Sequence, residues 1–309
     1  MPILMQPGPT PSRKGIGIAA ALASAIGYGS VGVMLHFARQ SSLALPTLLA
    51  WRFTGTSLIL MPLVIRLMWR MSKHNSITKW RPQEIVYGLL LGAIGFALQS
   101  FCYVGAVERL GAGRSAVLLY TYPAVVLLIT WLMGGPTPRI MHALALGLAF
   151  LGCGLTVYAD GSGLPIMGVA LACAASVIYA LYLILSHRQI QSLPPIAAAM
   201  LVSGGAALTF WSSAVYSGAT LLPTALSEWT VLALMVVACT LLPLCATFVA
   251  TRHLGPTQTA FICILEPVFA TWLGVIVLSE EVSRYQLAGT AMVIAAALLL
   301  QQIGPRKGD

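Results

Sequence analysis

The chain has 309 residues, 58% of them hydrophobic and only 8% charged, with a formal net charge of +9 and a mean hydropathy of +0.88. A water-soluble domain of this length carries about a quarter charged residues, so these values exclude a chain covered by water. The positive charge does not point to nucleic acid, because the basic residues lie in short gaps between apolar runs rather than on one soluble face.

Apolar runs of about 20 residues recur, each long enough to cross ~30 Å of hydrocarbon as a helix. With no water to satisfy the backbone, such runs are helices rather than strands. Residues 1–15, rich in proline at the start, are expected to form a cytoplasmic tail. Arg13-Lys14 before Ala21-Leu22-Ala23 has the look of a signal peptide, but the apolar run continues to about Leu35 without a polar cleavage region, so a first membrane span over 16–36 is expected. Further spans are predicted over 46–68, 84–106, 112–133 and 139–159, with Glu108-Arg109-Leu110-Gly111 dividing the third from the fourth. Gly134-Gly135-Pro136-Thr137-Pro138 is a strong breaker before the fifth. A loop over 160–164 follows. Five more spans are predicted over 165–187, 195–216, 229–251, 256–279 and 283–303, with Arg252-His253-Leu254-Gly255 between the eighth and ninth and a cytoplasmic tail at 304–309.

The chain reads twice. Tyr122-Pro123 in one apolar run is answered by Glu266-Pro267 in another, and a single offset also lays Leu110-Gly111 on Leu254-Gly255, Ser115 on Thr259 and Ala116 on Ala260. Further upstream Tyr28 and His36 fall opposite Tyr179 and His187, and Pro46, Ala50 and Gly55 opposite Pro195, Ala199 and Gly204. The expected halves are residues 16–159 and 165–303. Five spans return the chain to the opposite side, so the second half starts outside and lies upside down relative to the first. The expected fold is therefore an all-α integral membrane protein, ten transmembrane helices as two inverted five-helix repeats around a central cavity, with a substrate site near the midplane. Lys and Arg concentrate on one side, with Arg66, Arg70, Lys73, Lys79 and Arg81 among them, and that side is expected to be cytoplasmic together with both termini.

Within the spans, Glu266 is the one deeply placed acidic residue, flanked by Phe261 to Leu265, Val268 and Phe269. An ionised carboxylate there costs about 2.5–3.5 kcal/mol, so it faces a cavity, pairs or takes a proton. It is either a contact for a substrate ammonium or coupling proton, or a structural hydrogen bond beside a proline. Pro123 and Pro267 each remove a backbone donor in mid-span; they read either as ordinary kinks or as the device that splays two helices around a cavity. Tyr28, Tyr103, Tyr120, Tyr122, Tyr179 and Tyr182, with Gln99, lie within spans, where a buried hydroxyl needs a partner. They line an apolar site with a few polar groups, or they pack the core. Tyr87, Tyr158, Trp69, Trp80, Trp229 and Tyr285 sit near span ends as interfacial anchors do. Trp51 and Arg52 stand early in the second span. Arg52 either snorkels to headgroups or holds a substrate carboxylate or an acidic residue at an outer gate.

Gly27-Tyr28-Gly29-Ser30-Val31-Gly32 spells G-x-G-x-x-G, but a dinucleotide fingerprint needs a soluble βαβ unit, and here the small residues serve close helix approach. Cys102, Cys153, Cys173, Cys239, Cys245 and Cys263 all lie in apolar runs without metal-ligand spacing, as free thiols do. The histidines are scattered and no catalytic motif or phosphate loop occurs. No catalytic residue, metal or cofactor is expected, and the chain is not expected to be an enzyme.

Leu265-Glu266-Pro267-Val268, Leu278-Ser279-Glu280-Glu281, Gly289 and the Gly-Pro-Thr-Gln-Thr-Ala lead-in over 255–260 resemble the bacterial drug/metabolite transporter superfamily of EamA type, over about residues 16 to 303. Within it the chain looks most like the aromatic amino acid exporters. The first half departs from the pattern by carrying Tyr122 where Glu266 stands, so two carboxylates do not act together. The resemblance implies efflux of amino acids and related metabolites across the inner membrane, through a basket of helices one to four and six to nine, braced by the fifth and tenth. The partners it implies are the lipid bilayer and a small solute. One chain holding both halves suits a monomer. Export of toxic organic cations or of other metabolites on the same fold is the alternative, ahead of a polytopic enzyme or a channel.

Overall fold

The computed structural model describes residues 11–39, 44–73, 80–133, 140–158, 165–190, 192–219, 221–263, 265–279 and 281–302, and all regular structure among them is helical. Most of the expected terminal tails, the loop over 160–164 and the Gly134–Pro138 breaker lie outside the described residues. In chain order the helices are α1 (Pro11–Gly29), α2 (Val31–Arg39), α3 (Leu45–Lys73), α4 (Pro82–Leu90), α5 (Ala97–Leu110), α6 (Ala112–Leu119) and α7 (Tyr122–Leu132). There follow α8 (Ile140–Tyr158), α9 (Ile166–Gln189), α10 (Pro195–Tyr216), α11 (Leu226–Val236), α12 (Leu242–Cys263), α13 (Glu266–Leu278) and α14 (Arg284–Gln302). The first begins five residues ahead of the expected span, with Pro11 at its first position, where a missing N–H costs nothing.

Among the described residues, seven helical stretches are long and apolar enough to cross a membrane: Lys14–Ala38, Leu45–Arg70, Pro82–Leu110, Ala112–Leu132, Ile166–Ser186, Pro195–Tyr216 and Leu226–Leu254; Glu266–Leu278 is a shorter apolar helix. Large apolar side chains such as Ile59, Leu63, Phe101, Leu208 and Ile276 stand exposed on these helices. In water that would be a liability; against hydrocarbon it is the ordinary outer surface.

Two stretches widen into π turns. Leu91–Phe96 joins α4 to α5 and Val237–Leu241 joins α11 to α12. Each of these long helices also starts with the same device. Glu84 accepts the backbone N–H of Arg81 at 3.1 Å, and Glu228 accepts those of Thr224 and Ala225 at 2.7 and 3.2 Å, so a carboxylate in the first turn satisfies otherwise unpaired donors. The offset that lays Tyr122 on Glu266 lays Glu84 on Glu228.

The most extensive helix pairings are α1 with α12, α3 with α10, α5 with α9 and α8 with α14. At the α10 crossing two glycines let backbones touch. A Cβ on Gly92 would fall 2.0 Å from the Val202 carbonyl oxygen, and one on Gly205 would fall 2.0 Å from that of Leu89. Thr209 donates to the Ala93 carbonyl at 2.7 Å in the same place, satisfying an acceptor of the first π turn. The largest buried cluster runs from α2 and α3 through α5 to α10, α11 and α12 and includes the stacked rings of Phe53 and Phe210.

The third and fourth expected spans are separated as read: the helix stops at Leu110, and Gly111, at φ 83°, turns the chain into α6. The eighth and ninth are not. Helix α12 runs through Arg252-His253-Leu254-Gly255 as one continuous helix. Leu254 and Gly255 are therefore helical where their first-half counterparts end one helix and begin another.

Candidate functional site

Two helices stop inside the protein and restart after a short turn. Helix α6 ends at Leu119, Tyr120 and Thr121 form the turn, and α7 starts at Tyr122-Pro123. Helix α12 ends at Cys263 and α13 starts at Glu266-Pro267. Both prolines stand in the first turn of a new helix, so they terminate one helix and start another; the expected kinks are breaks. Pro267 is buried and Pro123 half-buried, and neither lines the cavity. At the first break Thr121 Oγ1 donates to the Leu118 carbonyl at 2.8 Å, which also accepts the Thr121 backbone N–H at 3.2 Å, and it lies 2.9 Å from Ser176 Oγ.

The breaks bring Tyr120 and Glu266 together. The Tyr120 hydroxyl donates to Glu266 Oε2 at 2.5 Å. The carboxylate is 6% exposed and occupies the first turn of α13, where the positive end of the helix dipole favours an anion. Gly29 packs against Phe269 and the Glu266 carbonyl, and Gly32 against Ala112, so the G-x-G-x-x-G stretch serves close approach of α1 and α2 to the broken helices.

Beside this pair lies a cavity of about 520 Å³ of unoccupied space, its open mouth included. Tyr28, Gln99, Tyr103, Tyr120, Tyr122, Tyr179 and Glu266 line it, which is seven of the eight residues expected there. The eighth, Tyr182, does not. It stacks behind Tyr179, with ring centroids 6.0 Å apart, and packs against Phe96. Tyr122 stands edge-on to Tyr179 at 4.8 Å and leans on Tyr120 at 5.4 Å, so the ring wall is continuous. Of the described lining residues only Tyr179 and Glu266 belong to the second half of the chain.

Arg52 lines the same cavity and is 4% exposed. Snorkelling to headgroups is thereby excluded. Its Nε donates to Thr240 Oγ1 at 2.5 Å and its Nη2 to the Cys239 carbonyl at 2.8 Å, both in the second π turn, and its guanidinium carbon is 5.2 Å from the Phe53 ring centroid. Trp51, one residue earlier, points elsewhere. Its indole N–H donates to the Leu221 carbonyl at 2.8 Å, and its ring meets Trp211 and Trp229 edge-on at 5.4 and 5.5 Å. Trp229 is thus part of an aromatic cluster and not a lone anchor.

Phe96, Ser100, Val31, Val104 and Leu119 also line the cavity without having been expected there. Ser100 carried a signal: it neighbours Gln99 in an otherwise apolar run. Phe96 carried none, since its orientation follows from the π turn it closes. The described residues contain no group of three or more His, Cys, Asp or Glu side chains placed to hold a metal ion, and the five described cysteines are free. The arrangement is a small aromatic chamber with one buried cation and one buried carboxyl group. It can bind and orient an amphiphilic solute.

Comparison with known proteins agrees with a transport role. The sequence profile of the EamA-like transporter family matches residues 15–158 and again residues 166–301. The threonine/homoserine exporter RhtA of Salmonella typhimurium is 29% identical over 221 residues, covering 69% of each chain. An uncharacterized transporter of Archaeoglobus fulgidus is 25% identical over 225 residues, covering 71% of this chain and 77% of that one. A crystal structure of another protein superposes with a TM-score of 0.66 over 96% of this chain and 99% of its own at 16% identity, which is a likeness of fold.

Proposed function

The chain belongs to the EamA-like transporter family, and from that premise we propose that it exports amino acids, aromatic and other, and related metabolites across a bacterial inner membrane by alternating access. It is a multi-pass membrane protein, and its family and curated relatives are transporters rather than enzymes. The observation that carries the reading is the Tyr120–Glu266 hydrogen bond, made between two broken helices at the wall of an aromatic cavity. Broken helices that meet at a cavity are the usual construction of a transporter's binding site. Likeness to a threonine/homoserine exporter favours amino acids and the outward direction.

We read the architecture as ten spans in two inverted halves, 16–159 and 165–303. The twofold match of the family profile supports this, and so does the pairing pattern. In an inverted repeat the contact of the first span with the eighth implies one of the sixth with the third, and α1–α12 and α9–α5 are those contacts. Helices α8 and α14 pair with each other at the side of the basket, as braces would. Orientation with both termini cytoplasmic rests on the Lys and Arg distribution. The site residues in this reading are Tyr28, Gln99, Tyr103, Tyr120, Tyr122, Tyr179 and Glu266, with Trp51 at an outer gate.

A second reading, export of organic cations, is favoured by the same carboxylate among aromatic faces, which attract cations. Purified protein in liposomes, assayed for counterflow of labelled phenylalanine, decides between them. Saturable exchange suppressed by excess threonine or methionine is expected. Flux equal to that of empty liposomes, from protein shown to be folded, overturns the amino acid reading in favour of cations.

A further inference from the structure

Arg52 is a buried cation seated on neutral groups. Among the described residues no carboxylate lies within ion-pairing distance of its guanidinium, which the protein instead holds by one hydroxyl and one carbonyl. A guanidinium carries five N–H donors, and those two bonds leave three unused, on the group that faces the cavity. A buried cation without an anion is costly in a low-dielectric site. The surrounding structure nevertheless fixes it: Thr240 is itself anchored to the Met235 carbonyl at 3.0 Å, and Thr56 bonds the Arg52 carbonyl at 3.0 Å. A side chain so firmly seated and so incompletely bonded is built to meet an anion that is not part of the protein.

We propose that Arg52, seated in the second π turn, is a carboxylate-binding subsite, and that the solute carried is a zwitterion held between Arg52 and Glu266. This rests on the transport reading above and narrows it. The carboxylate of an α-amino acid takes the free guanidinium donors, and its ammonium group takes Glu266 beside Tyr120. The side chain lies among Tyr122, Tyr179 and Phe96. The two charges come from different halves of the chain, and neither is repeated: the offset that pairs Gly55 with Gly204 lays Arg52 on Leu201, and Tyr122 stands where the second half has Glu266. An amine lacking the carboxylate therefore leaves a buried cation unpaired and binds poorly, which separates an amino acid carrier from a carrier of organic cations.

The test uses three probes with the same ring: phenylalanine, phenethylamine and 3-phenylpropionate. In liposomes, unlabelled phenylalanine is expected to compete with labelled phenylalanine about tenfold to a hundredfold better than phenethylamine, the range that a hydrogen bond to a charged group supplies. Arg52→Gln is expected to remove that discrimination, and Arg52→Lys to restore part of it. Equal competition by phenethylamine in the unaltered protein overturns the subsite, and this comparison needs no variant to fold. If no amino acid exchange is seen at all, thermal stabilisation in detergent decides independently. Stabilisation by 3-phenylpropionate that Arg52→Gln abolishes keeps the carboxylate subsite while the amino acid reading fails. The absence of stabilisation by any of the carboxylates removes the subsite.

Discussion

The two π turns occupy overlapping positions in the two halves and are filled in different ways. At Leu91–Phe96 the widened backbone receives another helix: α10 comes close enough for Gly92 and Gly205 to touch backbone, and Thr209 caps the Ala93 carbonyl. At Val237–Leu241 it receives a side chain, the Arg52 guanidinium, on the Cys239 carbonyl and the Thr240 hydroxyl. A π turn frees carbonyls from the helical ladder, and free carbonyls serve equally to pack a neighbour or to seat a cation. One half of the molecule uses the device for assembly, and the other uses it to put a charge at the wall of the cavity.

The difference can be broken at its packing end first. Gly92→Leu puts atoms where the Val202 carbonyl stands and is expected to abolish recovery of monodisperse protein on size-exclusion chromatography; normal yield and melting temperature would mean that the first turn is not a packing device. Glu266→Gln keeps a group that accepts the Tyr120 hydroxyl, so the fold is expected to hold within a few degrees of melting temperature while amino acid counterflow falls about tenfold or more. Unchanged counterflow removes Glu266 from the site. Thr240→Val takes away the acceptor of Arg52 Nε and is expected to raise the half-saturation concentration for phenylalanine by about tenfold with little change in maximal exchange. The smallest effect belongs to the other turn. Thr209→Val is expected to lower stability by about 1 kcal/mol and leave half-saturation unchanged. An equal effect of both threonine changes on half-saturation would erase the contrast between the turns.

Seven of the expected spans were legible because hydrocarbon imposes a length and a composition, and the match between the two parts of the chain was legible because Pro123 and Pro267 stand in corresponding places, each in the first turn of a new helix. Seven tyrosine, glutamine and glutamate positions at the cavity wall could be read for the same kind of reason: polar groups inside apolar runs require partners. Tyr182 was indistinguishable from Tyr179 by that rule, and only the helical rotation of α9 separates a wall residue from one stacked behind it. The seat of Arg52 was hidden, because a π turn adds one residue to a helical turn and leaves no mark in residue type. Leu254-Gly255 misled for a different reason. Its match to Leu110-Gly111 implies a similar break, yet a glycine permits a left-handed turn without requiring one, and the second half continues as helix.

The cross-chain seating of the two charges has a consequence for how the protein is made. Arg52 is synthesised long before Cys239 and Thr240, and Glu266 enters the bilayer with its partner Tyr120 already in place. During synthesis the first half therefore waits in the membrane with a guanidinium whose carbonyl seat does not yet exist, at the cost a lone charge carries in hydrocarbon.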